Sequence, residues 1–336
     1  MKPLILTLFT ITSLCGASPE LPNPMPENFA LASPSQPELI SLEIPSTNQL
    51  VMTPNEMTLP SISPIPIKKE PWVAVTLSAI LPGLGHVYLG DMSTAGGLMG
   101  TTGLSMGVLF SPLAAEAATL QTTVATLQAT SFYSWYASYR DARILNGISS
   151  YSYQMPTDSL AQLTTASFNW RILKKPEVWG GLLGTLALGT AIVHFAYPEN
   201  AKITSASASS SHVMPWVALP VGLGEESFFR GFLQSALSET FNPLTGIILS
   251  SLLFGAAHIP NAQGLEKAER WRYYTFSLPL ITGIGAYCGW LTNKNHSLQE
   301  SVALHTWYDF IIFSISALAT ETAATGRPGF AFAVPF

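Results

Sequence analysis

The sequence predicts an all-α, multi-pass membrane protein of about seven to eight transmembrane helices behind a disordered N-terminal tail. Three observations carry this. Charged residues make up 10% of the 336 and hydrophobic ones 48%, whereas a soluble domain carries about 25% charged residues. Mean hydropathy is positive at +0.31. From Trp72 onward, apolar blocks of about 20 residues, the length that crosses a bilayer as helix, alternate with short polar connections.

Residues 1–17 read as a signal peptide or signal anchor. Lys2 supplies a positive start, Leu4–Leu14 an apolar core, and Cys15-Gly16-Ala17 small residues suited to cleavage. Residues 18–70 form a Pro/Ser-rich tail. Its prolines, from Pro19 to Pro66, interrupt every helix or central strand, and so polar a segment buries too little apolar area to offset its ordering entropy.

Residues 71–147 are expected to form an accessory membrane domain, with apolar blocks near 72–90, 94–113 and 120–139. The first contains Pro82-Gly83-Leu84-Gly85, the mark of a broken or re-entrant helix. A loop follows at 148–177. A second membrane domain spans 178–320, with blocks near 178–197, 213–237, 242–258, 273–292 and 298–319, and 321–336 is a C-terminal tail. Arg143, Arg171, Lys174 and Lys175 assign the loop to the cytoplasm by the positive-inside rule. Counting back three spans puts residue 72 outside, an assignment with which Lys68-Lys69 conflicts. The net charge of −5, without a basic run, excludes nucleic acid as a natural partner. Two cysteines, Cys15 and Cys288, supply neither a disulfide framework nor a thiolate zinc site.

Inside hydrocarbon an ionisable residue needs a partner or a purpose, and three groups stand out. Gly224-Glu225-Glu226-Ser227-Phe228-Phe229-Arg230 lies in an apolar run. Glu226 and Arg230 are i, i+4 in the favourable acid-first order, while Glu225 is rotated by about 100° and left without that partner. A carboxylate at mid-membrane costs about 2.5–3.5 kcal/mol on insertion scales, so two adjacent ones are hard to explain as packing. In Phe254-Gly255-Ala256-Ala257-His258, Phe254 and His258 share a helical face, with small residues between them that admit a neighbouring helix. In His305-Thr306-Trp307-Tyr308-Asp309, His305 and Asp309 face the same way at i, i+4. His86, His194, His212 and His296 sit at breaks, ends or connections and read as structural.

The order Glu-Glu-x-x-x-Arg, Phe-x-x-x-His, His-x-x-x-Asp on successive apolar segments resembles the CPBP family of CAAX prenyl endopeptidases and bacteriocin-processing proteins, also called Abi, over roughly 175–320. The resemblance implies an intramembrane endopeptidase that acts on peptide or protein substrates, and the export signal with its small-residue site points to a bacterial cell, hence to the inner membrane. It further implies that Glu225 activates water, that His258 assists, and that His305 and Asp309 face the developing oxyanion. Glu226, Arg230 and Phe254 are implied to support. Family members of the CAAX type usually carry Asn where Asp309 stands. Asn donates to an oxyanion and an ionised Asp does not, so Asp309 is either protonated or orients His305, which i, i+4 geometry favours. Membrane lipid is the expected surroundings and no cofactor is required. The alternatives are a zinc-dependent version with His258, His305 and Glu225 as ligands, although His-Glu-x-x-His is absent; a non-catalytic scaffold or immunity protein on the same fold; and a proton-relay transporter. In the front half, Ser78–Asp91 looks like the Pro-Gly-x-Gly-x-x-Tyr-x-Gly segment of small bacterial membrane domains of unknown function.

Overall fold

The computed structural model describes residues 68–196, 214–263 and 265–325. The expected signal at 1–17, the proline-rich tail up to 67, the connection 198–211 and the end of the C-terminal tail lie outside the described residues. Among those described, every regular element is helical.

Helix α1 (Pro71–Ile80) starts on a proline, whose missing N–H costs nothing at that position. It stops at Leu81, held extended (φ −148°) by the proline that follows. Gly83, at φ +96°, turns the chain back into α2 (Leu84–Leu89). The arms cross so closely at Gly85 that a Cβ there would lie 2.2 Å from the carbonyl oxygen of Ala74. Lys69 Nζ donates to the Tyr88 carbonyl (2.9 Å) and the Glu70 N–H to the Tyr88 hydroxyl (3.0 Å), so 72–90 enters and leaves on one side. It is a hairpin of two short helices that breaks at Pro-Gly-Leu-Gly. The Lys69 N–H also donates to Asn146 Oδ1 (2.8 Å), which puts the start of α1 beside the end of the third block. That corrects the expected topology: residue 72 lies at the same end as the basic 141–177 loop, and the conflict over Lys68-Lys69 disappears.

Helix α3 (Met92–Leu109) is capped by Asp91, which accepts from the Thr94 N–H. Helix α4 (Ala117–Leu145) is capped by Glu116. Its many threonines fit an apolar surrounding because Thr122, Thr123, Thr126 and Thr130 each donate to the carbonyl four residues back. The expected loop contains two short helices, α5 (Leu160–Ala166) and α6 (Trp170–Leu173). Helix α7 (Pro176–Ala196) follows. Helix α8 (Ala218–Glu226) runs through a π-helical stretch, Ser227–Leu233, into α9 (Gln234–Thr240). Then come α10 (Pro243–Ala257), α11 (Lys267–Arg272), a second π-helical stretch at Tyr273–Ser277, α12 (Leu278–Asn295) and α13 (Gln299–Thr325).

Cross-links fix which ends meet. Glu239, at the end of α9, accepts from the Tyr153 N–H (2.8 Å) and pairs with Arg143 (3.1 Å), and Lys294 pairs with Glu177 (3.2 Å). At the opposite end the Met214 N–H donates to Gln121 and the Trp216 indole to Thr122. Lys69, Arg140, Arg143, Arg171, Lys174, Lys175 and Lys294 therefore share one end, while Lys267, Arg270 and Arg272 precede the helix that starts from the other.

The two expected membrane domains pack together. Phe132 stacks on Phe228 (4.7 Å between centroids) and Trp135 meets it edge-on. Gly224 lets α8 approach α4 so closely that a Cβ would lie 2.7 Å from Ala129 Cα. Away from these contacts, large apolar side chains such as Leu104 (76%), Phe110 (88%), Leu183 (61%) and Phe195 (80%) face outward. Among the described residues, two helices, Pro176–Ala196 and Pro243–Ala262, are long and apolar enough to cross a membrane.

Candidate active site

The acidic pair ends α8, where regular i, i+4 bonding gives way to the π stretch. Such bulges are frequent at functional sites because they re-aim side chains without breaking the helix. Glu226 is fully buried, as is Arg230, whose Nη1 donates to Glu226 Oε1 at 2.9 Å. The guanidinium also lies 4.2 Å over the Phe254 ring, a cation–π contact that helps hold it in an apolar setting. Gly285 on α12 makes room for both, since a Cβ there would stand 2.9 Å from Arg230 Nη2 and 3.0 Å from the Phe254 ring.

His305, on α13, is the hub. Its Nδ1 donates to Glu226 Oε1 (2.8 Å). On its other side Nε2 faces Asp309 Oδ2 at 3.4 Å and Glu225 Oε2 at 3.9 Å. At least one proton must sit among these last three atoms, because otherwise three acceptors would face one another. Glu225 is 15% exposed, and its Oε2 has no hydrogen bond from protein. Thus the two glutamates, though a helical step apart, grip opposite edges of one imidazole. The nitrogen remote from Asp309 is held by Glu226, so Asp309 shares the Nε2 edge rather than anchoring the ring from behind. This differs from the expectation that Asp309 orients His305.

His258 sits just past α10. Its Nδ1 donates to the Phe254 carbonyl (2.8 Å), which leaves Nε2 as the nitrogen available to a guest. The Phe254 ring lies 4.6 Å from the His258 ring and 5.9 Å from that of His305, and so separates them. All seven residues singled out in the sequence meet in this place.

Sequence reasoning missed Tyr273, which is fully buried and donates its hydroxyl to the His258 carbonyl (2.8 Å), and Gly222, where a Cβ would lie 3.0 Å from the Thr306 backbone nitrogen. Neither carries a local signal: one is an aromatic in a block edge, the other one glycine among many. It also missed Asp158 in the loop. That carboxylate accepts from the Leu298 N–H (2.7 Å), Ser297 and Gln299, and so caps the helix carrying His305.

Among the described residues no three His, Cys, Asp or Glu side chains are disposed to hold one metal ion. In the alternative ligand set His258, His305 and Glu225, Nδ1 of each histidine is committed to a protein oxygen and Nε2 is the nitrogen left over, the same division of roles that metal-bound imidazoles show. An apolar groove of about 600 Å³ between α7 and α12, lined by residues such as Gly181, Leu188, Phe276 and Tyr287, contains none of the site residues.

Residues 207–311 match the family model described as type II CAAX prenyl endopeptidase Rce1-like. No curated protein and no solved structure matches significantly. The match supports the CAAX protease family that the three motifs resemble, a family of membrane-embedded proteases.

Proposed function

With a CAAX-protease segment at 207–311 as the premise, we propose that this chain is an intramembrane endopeptidase in which Glu225 activates the attacking water. The observation that carries the reading is the arrangement of Glu225, Glu226 and Asp309 around the single imidazole of His305, far inside an apolar bundle. Packing does not require three carboxylates on one ring.

Peptide hydrolysis needs a base, support for the oxyanion and a proton for the leaving amine. Glu225 takes a proton from water as the oxygen attacks the scissile carbonyl, and His258 Nε2 holds that water. The carbonyl oxygen gains the negative charge and is met by the His305 Nε2–H, kept in place by Glu226 at Nδ1. Glu225 then returns its proton to the amine as the C–N bond breaks, so the proton count closes without another group. Asp309 sets the proton balance at Nε2. Substrates are peptides of membrane-associated proteins.

In this reading seven helical passages cross the bilayer, and one re-entrant hairpin enters and leaves it on the same side. The basic end lies in the cytoplasm, and the membrane is a bacterial inner membrane. Membranes carrying wild-type chain or Glu225→Gln are compared for released peptides. Cleavage is expected to fall by about 10²–10⁴-fold in the variant, and an unchanged peptide pattern refutes the assignment of the base.

A further inference from the structure

The loop before α7 has two faces. Leu163, Ala166 and Ile172 are buried, whereas Phe168 (70% exposed), Trp170 (72%) and Trp179 (41%) point outward. Arg171 and Lys174 are exposed beside them, and neither side chain forms an ion pair among the described residues. Aromatic rings next to unpaired basic groups, at the mouth of an apolar helix long enough to span a bilayer, match the chemistry of the headgroup layer: amphipathic rings at its depth and cations for its phosphates.

The patch is also fixed in place. Asp158 caps the neighbouring α13, Trp307 Nε1 donates to the Ser167 carbonyl (2.9 Å), and Lys175 pairs with the buried Glu300. The nearby Glu177 is occupied by Lys294. Among the described residues no acidic side chain is thus paired with Arg171 or Lys174, and their charge is complementary to an anionic surface.

We infer that Phe168, Trp170, Arg171, Lys174 and Trp179 form a docking surface for anionic phospholipid headgroups. The inference rests on the membrane reading above but not on proteolysis. It is tested with the full chain in phosphatidylcholine vesicles that contain equal fractions of either brominated phosphatidylcholine or brominated phosphatidylglycerol. The fluorescence of Trp170 is taken as the difference between wild type and Trp170→Phe. Phosphatidylglycerol is expected to be enriched at Trp170 by about fivefold for each basic residue, the equivalent of about 1 kcal/mol apiece. In Arg171→Gln/Lys174→Gln the preference should vanish while quenching by brominated phosphatidylcholine persists. Equal quenching by both lipids in the wild type, or a preference that survives the double substitution, overturns the inference. No quenching of any tryptophan by either lipid removes the membrane reading itself and the inference with it.

Discussion

Replacing Glu226 with Leu separates two jobs that one oxygen performs. Glu226 Oε1 accepts both Arg230 Nη1 at 2.9 Å and His305 Nδ1 at 2.8 Å, with Glu226 and Arg230 fully buried. Leucine leaves Arg230 as an uncompensated buried cation, which costs about 3–5 kcal/mol. Adding Arg230→Met removes the cation, and a well-packed apolar pair should return stability to within about 1 kcal/mol of wild type. Activity should not return, because His305 still lacks its acceptor and its Nε2–H is no longer held toward the oxyanion; a loss of about 10²–10⁴-fold is expected. In Glu226→Gln/Arg230→Met the amide oxygen still accepts from Nδ1, so both stability and a large part of activity should survive. The assay pairs denaturant unfolding in mixed micelles with peptide release from reconstituted vesicles. Wild-type cleavage by Glu226→Leu/Arg230→Met refutes the orienting role, and full stability of Glu226→Leu alone refutes the buried-pair argument.

Gly222→Ala pushes a methyl toward the Thr306 backbone and should cost about 1–3 kcal/mol while lowering activity by displacing α8 from α13. Gly107→Ala, where a methyl meets open space, should be neutral or slightly stabilising by thermal melting. At the basic end, burial would push the Glu239 carboxyl up, but the N–H groups of Tyr153 and Ser152 and the Arg143 guanidinium outweigh it and hold the group below its ordinary value. Its folded-state affinity for protons is thus the lower one. The stabilisation is present above the ordinary value of about 4.3 and is lost as pH falls through the folded value. Glu239→Gln should accordingly lose about 1–2 kcal/mol near neutrality and progressively less in acid, whereas a pH-independent difference in unfolding midpoint contradicts this. Exhaustive chelation should leave peptide release within about twofold of the untreated enzyme if Glu225 activates water without a zinc ion; a loss restored by added zinc refutes the metal-free chemistry.

The helical class, the break in the first block and the ionisable residues that meet in the candidate site were legible in the sequence because each follows from local rules. Hydropathy over about 20 residues marks a passage, Pro82-Gly83 must bend one, and charges such as Glu225, Glu226 and His305 stand out against an apolar background. The side on which residue 72 lies was not legible: it depends on the hydrogen bond between Lys69 and Asn146, 77 residues apart. Nor was the union of the front helices with those that carry the candidate site, which rests on Ala129 meeting Gly224. Helical spacing put Glu225 and Glu226 on different faces and paired His305 with Asp309, and both statements hold locally. What they omit is the second helix. Once α13 lies across the end of α8, an imidazole with two nitrogens about 2 Å apart reaches both glutamates at once, so Glu226, rather than Asp309, holds the ring from behind. Sequence names the ionisable groups because their cost in hydrocarbon is a property of each residue. Which atom meets which is decided by helices brought together from distant parts of the chain.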